Sequence, residues 1–188
     1  MDKIKIMGKL NHDQIELSWI DQKDAYDLFQ AILGSIQLLR VFPASLPWSL
    51  EIPSLESAMQ YCERCMLDAQ NKHAFTYIIR LKSDGSFVGV IGLHQIQWDI
   101  PCITVGFWAN LKFHGKGYMT CALQYLINFL KEELKVKRIE AFVDIENERA
   151  RRLCLRSGFV LEEILEKSAK NPQDGSLRDI GLFVNTRQ

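Results

Sequence analysis

The chain has 188 residues, 47% hydrophobic and 24% charged, with 23 basic and 23 acidic side chains in balance. This composition fits one soluble domain (residues 1–188, core about 10–185), long enough to bury a core. Zero net charge removes any global pull toward nucleic acid or an anionic membrane. No apolar run reaches the ~18 residues of a spanning helix, and Met1-Asp-Lys-Ile-Lys5 lacks a signal-peptide core, so the expected compartment is the cytoplasm.

Residues 22–40 and 54–70 read as helices joined by the Pro-rich turn 41–53, with capping chemistry at Ser54, Glu56 and Ser57. Cys62-Glu-Arg-Cys65 falls inside the second of these helices. A redox pair normally opens a helix after a strand, and a zinc site needs two more ligands, so both readings are rejected in favour of packing. Five cysteines, at 62, 65, 102, 121 and 154, do not form a secreted disulfide framework either. Phe75–Leu81 and Phe87–Leu93 are β-branched and aromatic, and Asp84-Gly85 between them is a strong hairpin signal. Ile103–Trp108 is a further strand, followed by Lys112-Phe-His-Gly-Lys-Gly-Tyr-Met-Thr120 and a helix with apolar residues at 119, 122, 123, 126, 130 and 134. That stripe points to packing on a sheet. Val136–Ile145 alternates as a strand, with Ile139, Ala141, Val143 and Ile145 on one face. Asn147 then precedes a short helix, 148–156, closed by Ser157-Gly158-Phe159, and Phe159-Val-Leu161 begins another strand.

Gly115 and Gly117 carry no Cβ and let the backbone approach a ligand. The helix behind them offers unpaired N–H groups and the positive end of its dipole. Such a turn can seat phosphate, and the same pattern also serves as a plain strand-to-helix turn. A nucleotide P-loop needs four residues between its glycines and then Lys-Ser/Thr. The dinucleotide spacing G-x-G-x-x-G fails at Thr120.

With these motifs in this order, the chain resembles the GNAT superfamily of acetyl-CoA-dependent N-acetyltransferases over roughly residues 10–185. Lys112-Phe-His-Gly-Lys-Gly117 is similar to the family's Q/R-x-x-G-x-G/A pyrophosphate motif, with Lys in the first position. Asn147-Glu-Arg-Ala150 through Leu153-Cys-Leu-Arg-Ser-Gly-Phe159 is similar to its N-x-x-S…GF segment. Ile15–Phe29, Leu46-Pro-Trp48 with Ser54-Leu-Glu56, and the closing hairpin at Gly175–Asp179 resemble the branch that acetylates protein N-termini, notably on ribosomal proteins. The resemblance implies an α/β (α+β) fold: a mixed, mostly antiparallel sheet of about seven strands with a splayed central pair, flanked by helices on both faces.

It also implies a site. Backbone N–H groups near Trp108 and Ala109 would polarise the thioester carbonyl. Amides of Gly115, Lys116, Gly117, Tyr118, Met119 and Thr120 would take the pyrophosphate, with Lys112, His114 and Lys116 around them. Asn147 would contact the pantetheine arm as well as capping its helix. Arg149, Arg152 and Arg156 share a helix face that also reads as simply solvated; Arg152 is the chosen phosphate ligand. Acetyl-CoA is the expected cosubstrate, with no metal, and a monomer or homodimer is expected.

The proton-transfer groups depart from the family pattern. Ala150 stands where a Ser acid often does, and Cys154 where a Tyr often does. A thiol of pKa ~8.5 could protonate a leaving thiolate, or be a small packed residue beside Ala150 and Leu153. Thr104 replaces the commonest Glu base, leaving Glu140, Asp144 and His94 to act through water. At pH 7 an α-amine of pKa ~7.8 is roughly a tenth neutral, whereas a lysine at ~10.4 costs ~4–5 kcal/mol to deprotonate. A weak base therefore favours N-terminal amines. The rival readings are acetylation of a small amine (a polyamine or amino sugar), although no acidic cluster for a polyamine is evident, and a CoA-binding sensor that has lost turnover.

Overall fold

The structure is a computed structural model that describes residues 8–186. The opening segment Met1–Lys5, read above for a signal peptide, lies outside those residues. One eight-stranded sheet runs in the order β1-β2-β3-β4-β5-β6-β8-β7. Its strands are β1 (Lys9–Asn11), β2 (Ile15–Trp19), β3 (Phe75–Leu81), β4 (Phe87–Gln97), β5 (Cys102–Ala109), β6 (Arg138–Asp144), β7 (Val160–Lys170) and β8 (Leu177–Thr186). The strand beyond the expected seven is β1, three residues paired to Glu16–Ser18 of β2 and too short to show a period.

Four α-helices cover the sheet: α1 (Ala25–Leu39), α2 (Leu55–Gln70), α3 (Tyr118–Glu132) and α4 (Glu148–Arg156). The first expected helix opens later than 22, because Gln22–Asp24 forms a 3-10 turn with a reciprocal Asp21–Asp24 cap. Asp24, nearly fully buried, is neutralised by Arg80 of β3 at 2.7 Å, and Arg80 also reaches Asp27 at 2.7 Å. A buried carboxylate needs such a partner; here the pair locks α1 onto β3. Ser54 and Ser57 form the capping box that opens α2.

Each sheet face has its own core. On one side α3 buries Met119, Ala122, Leu123, Leu126, Ile127 and Leu130 against Phe75, Ile91, Leu93, Ile139 and Phe183. Each large side chain of this kind contributes about 1.5–3 kcal/mol on full burial. On the other side Leu28 of α1 and Ala58, Cys62 and Cys65 of α2 pack on Ile78 and Val90. Both C-x-x-C sulfurs are thus core groups, and Cys65 Sγ accepts from Thr76 Oγ1 at 3.4 Å. Among the described residues no helix is long and apolar enough to cross a membrane.

All neighbouring strands are antiparallel except β5 and β6, which are joined by the α3 crossover. Their pairing covers only Cys102–Thr104 against Arg138–Glu140. Beyond Thr104 the two strands part, and alternate backbone groups of Gly106–Ala109 face a gap. Past that gap β6 pairs along its whole length with β8.

Candidate active site

Because β5 and β6 are parallel, α3 and α4 both begin at the C-terminal ends of these strands, one on each side of the gap. Ligands in open α/β sheets gather at such strand ends. Asn110, which follows β5, pins the connection there. Its N–H donates to Val88 O at 2.8 Å, its Nδ2 donates to Phe87 O at 3.0 Å, and its Oδ1 accepts from Lys112 N at 3.2 Å. From α1, Ser35 Oγ accepts the Leu111 N–H at 2.9 Å. Sequence reasoning missed Asn110 and Ser35; an Asn two residues before the N–H it caps is an Asx-turn signal that could have flagged the first.

Gly115 (φ 75) and Gly117 (φ 82) both lie in the left-handed region, where a side chain is strained. A Cβ at either would meet nothing within 4 Å, so the space above the turn is open. Gly117 is the N-cap of α3, and Cys121 N–H is bonded to its carbonyl at 3.0 Å. The amides of Tyr118, Met119 and Thr120 in that first turn have no helical acceptor and lie at the positive end of the dipole. An anion fits this seat. Lys116 N–H leans on Phe113 O at 3.4 Å, and its ammonium lies 5.1 Å from the Phe113 ring centroid. The His114 ring contacts Ala109 O at 3.1 Å, Lys112 is exposed, and the Met119 side chain is buried in the core.

Across the gap, Asn147 caps α4, its Oδ1 accepting from Ala150 N at 3.1 Å. Arg152 is exposed and ion-paired to Glu148 one turn back. Arg151 instead braces the strand exit by donating to Ile145 O at 3.1 Å.

Cys154 is shut off from solvent. It is fully buried in the α3–α4 core, and burial pushes its thiol up to about 12. That environment makes the thiol a weak proton donor, and the residue packs with Ala150 and Leu153. Two of the three base candidates are also engaged. Asp144 is 1% exposed, with both oxygens 2.9 Å from Arg178. Glu140 lies 2.5 Å from Arg138. His94 has no such partner.

On the α1–α2 side of the sheet, Gly92 of β4 pairs with Gly106 of β5. This leaves a floor without side chains beside Trp108, whose ring lies 6.0 Å from Phe87 and 5.9 Å from Trp48. Trp48 belongs to the 3-10 turn Pro47–Leu50, held by Arg40 donating to Ser49 O at 2.8 Å and Glu51 O at 3.1 Å. The gap therefore joins an open turn able to take an anion, on the α3–α4 side, to an aromatic-walled floor on the other.

An open sheet parted between two parallel strands, with a G-x-G turn leading into a helix at the parting, is the architecture of an acyl-carrier-dependent acetyltransferase. The acetyltransferase (GNAT) domain family matches residues 14–160, and the chain belongs to that family; it is an N-acetyltransferase by class. It is similar to YdaF of Bacillus subtilis (strain 168), a candidate ribosomal N-acetyltransferase, at 29% identity over 93% of this chain and 86% of the relative. It is similar to the ribosomal-protein-serine acetyltransferase of Escherichia coli (strain K12) at 24% identity, covering 83% and 84%. Among solved structures, the microcin C7 self-immunity acetyltransferase MccE, in complex with acetyl-CoA and AMP, matches at TM-score 0.84 and 25% identity over 94% of each chain.

Proposed function

We propose that this chain, acting as a single N-acetyltransferase domain, moves an acetyl group from acetyl-CoA to the N-terminal α-amine of a protein, of the ribosomal kind named for two of its relatives. The observation that carries the reading is the open G-x-G turn at the N-terminus of α3, at the mouth of the β5–β6 gap. The pyrophosphate is taken by amides of Gly115, Gly117, Tyr118, Met119 and Thr120, with Lys116 contributing charge more than its already engaged amide. Lys112 and, after releasing Glu148, Arg152 add cationic contacts, while His114 holds the loop through Ala109 O. The Asn147 amide nitrogen, left over from capping, donates to the pantetheine arm. The Ala109 N–H, which faces the gap, polarises the thioester carbonyl; the Trp108 N–H points the other way, toward β4, as the Asn110 N–H does at Val88 O. The amine attacks directly, and the tetrahedral intermediate collapses with loss of thiolate.

Two measurements test this. Calorimetry should detect CoA binding to the native chain and none to Gly117→Glu, which puts bulk and negative charge at the seat and a side chain at positive φ; equal affinities would refute the placement. Thiol release from acetyl-CoA should be stimulated by peptides starting with Ser, Ala or Met more than by spermidine or an amino sugar. Preference for the small amines would shift the acceptor class, and CoA binding with no transfer to any of them would mark a sensor.

A further inference from the structure

We infer that His94 is the general base that deprotonates the acceptor amine, a role that rests on the acetyltransfer reading above. The register places His94 of β4 directly opposite Thr104 of β5, on the sheet face shared by Gly92, Gly106 and Trp108. No side chain stands at Gly106, so the imidazole lies across the strand: its Cε1 is 3.1 Å from where a Gly106 Cβ would be, and its Nδ1 is 3.9 Å from the corresponding point at Gly92. The ring is thereby brought over the bare floor, about one pleat (~7 Å) along β5 from Trp108. Any larger residue at 106 would push it off. Glycine at 92 and 106 thus both clears space for an acceptor and seats the ring beside that space.

The backbone is bent at the same point. Pairing shifts between His94 and Gln97, and Gln95 takes φ 50, a conformation uncommon for a side-chain-bearing residue. Bulges of this kind re-aim neighbouring side chains and cluster near functional sites. Gln95 Oε1 accepts from Thr104 Oγ1 at 3.0 Å, which fixes the bulge and commits the hydroxyl's proton to Gln95.

His94 has no hydrogen-bond or ion-pair partner among the described residues, so both ring nitrogens are available. His94 is exposed overall, but loss of hydration where its ring lies on the sheet lowers its pKa from the ordinary ~6.5, so the neutral ring predominates at pH 7. The charged groups on the same face do not counter this. From β6, Glu140 and Arg138 pair with each other. From β3, Arg80 is bound by Asp24 and Asp27. From α2, Tyr61 and Cys65 are held neutral by burial.

The proton balance closes. The bound ammonium gives one proton to the imidazole, directly or through one water, and the freed nitrogen lone pair forms the C–N bond. On collapse the C–S bond breaks, the nitrogen loses its second proton to solvent, and the thiolate takes the proton from the imidazolium. Passing a proton to this histidine is uphill from either amine, but by roughly two and a half units less from an α-ammonium near ~7.8 than from a lysine near ~10.4. The base is matched to an α-amine.

The test is His94→Gln, assayed with a Ser-starting peptide and with the same peptide capped by an aza-glycyl residue, whose terminal nitrogen is already neutral at pH 7. With the first acceptor kcat/KM should fall about 10²-fold or more, while acetyl-CoA affinity by calorimetry is unchanged. With the second the loss should largely vanish. The acidic limb of the kcat/KM profile, below ~6.5 in the native enzyme, should move up to the amine's own pKa near ~7.8 in the variant. Equal losses with both acceptors, or an unmoved limb, would overturn the base assignment alone. Bound acetyl-CoA with no transfer to any amine would overturn the acetyltransfer reading and the base with it.

Discussion

A thiol held near 12 by burial is a poor proton source for a thiolate whose own acid ionises near ~8.5, since transfer runs uphill by about three decades. Cys154 therefore contributes by filling space between α4 and α3. Cys154→Ala should lower stability by about 1–2 kcal/mol through the small void it leaves, with turnover within about twofold of native. Urea unfolding and thiol release check the two halves. A folded variant with collapsed turnover would restore the thiol to the chemistry. The sequence marked this residue as sharing a face with Ala150 and Leu153, but one face of a nine-residue helix does not reveal how deep a position lies. Depth comes from the shared core it enters with α3, a helix some twenty residues or more away in the chain.

At the scale of elements, what was readable is what is local. Asp84-Gly85 makes its hairpin with Gly85 at φ 72, the α3 stripe is buried where its period put it, and Ser54 and Asn147 cap the helices they precede. The tether of the phosphate seat was not readable, because Asn110 reaches Phe87 and Leu111 reaches Ser35 across the fold, and no periodicity connects such pairs. That tether has consequences. Asn110→Ala removes the side chain's two bonds, the one it donates to Phe87 O and the one it accepts from Lys112 N, and frees the turn to move. Leaving a buried carbonyl without a donor costs about 1–3 kcal/mol. The variant should melt earlier and also bind CoA more weakly, because ordering the loop must then be done on binding. Ser35→Ala, which loses one bond against two, should show the same two effects at smaller size. Calorimetry and thermal melts on both variants check this; a destabilised Asn110→Ala with native CoA affinity would separate the tether from the seat.

At the scale of the whole molecule, the sheet consists of two wings, β1–β5 and β6-β8-β7, whose strands pair with each other among the described residues over three positions, flanked by one further bond from Lys137 N to Pro101 O. The splay, which on the proposed reading takes the pantetheine arm, also removes the backbone bonds that would otherwise join the wings beyond Thr104. A ligand lying in the gap and reaching the starts of both α3 and α4 supplies contacts to both wings, and binding only to the native state stabilises it by mass action. At a hundredfold excess over Kd that is about 2.7 kcal/mol, or roughly 5–10 °C in Tm for a chain of this size. Acetyl-CoA should therefore raise the melting temperature by that amount, and amide hydrogen exchange should slow along Gly106–Ala109 and in the first turns of α3 and α4, with little change in β1 or β2. Stabilisation of that size without protection along β5 would mean that the ligand is held outside the gap, since the amides left unpaired by the splay are the ones an acyl-pantetheine arm must cover.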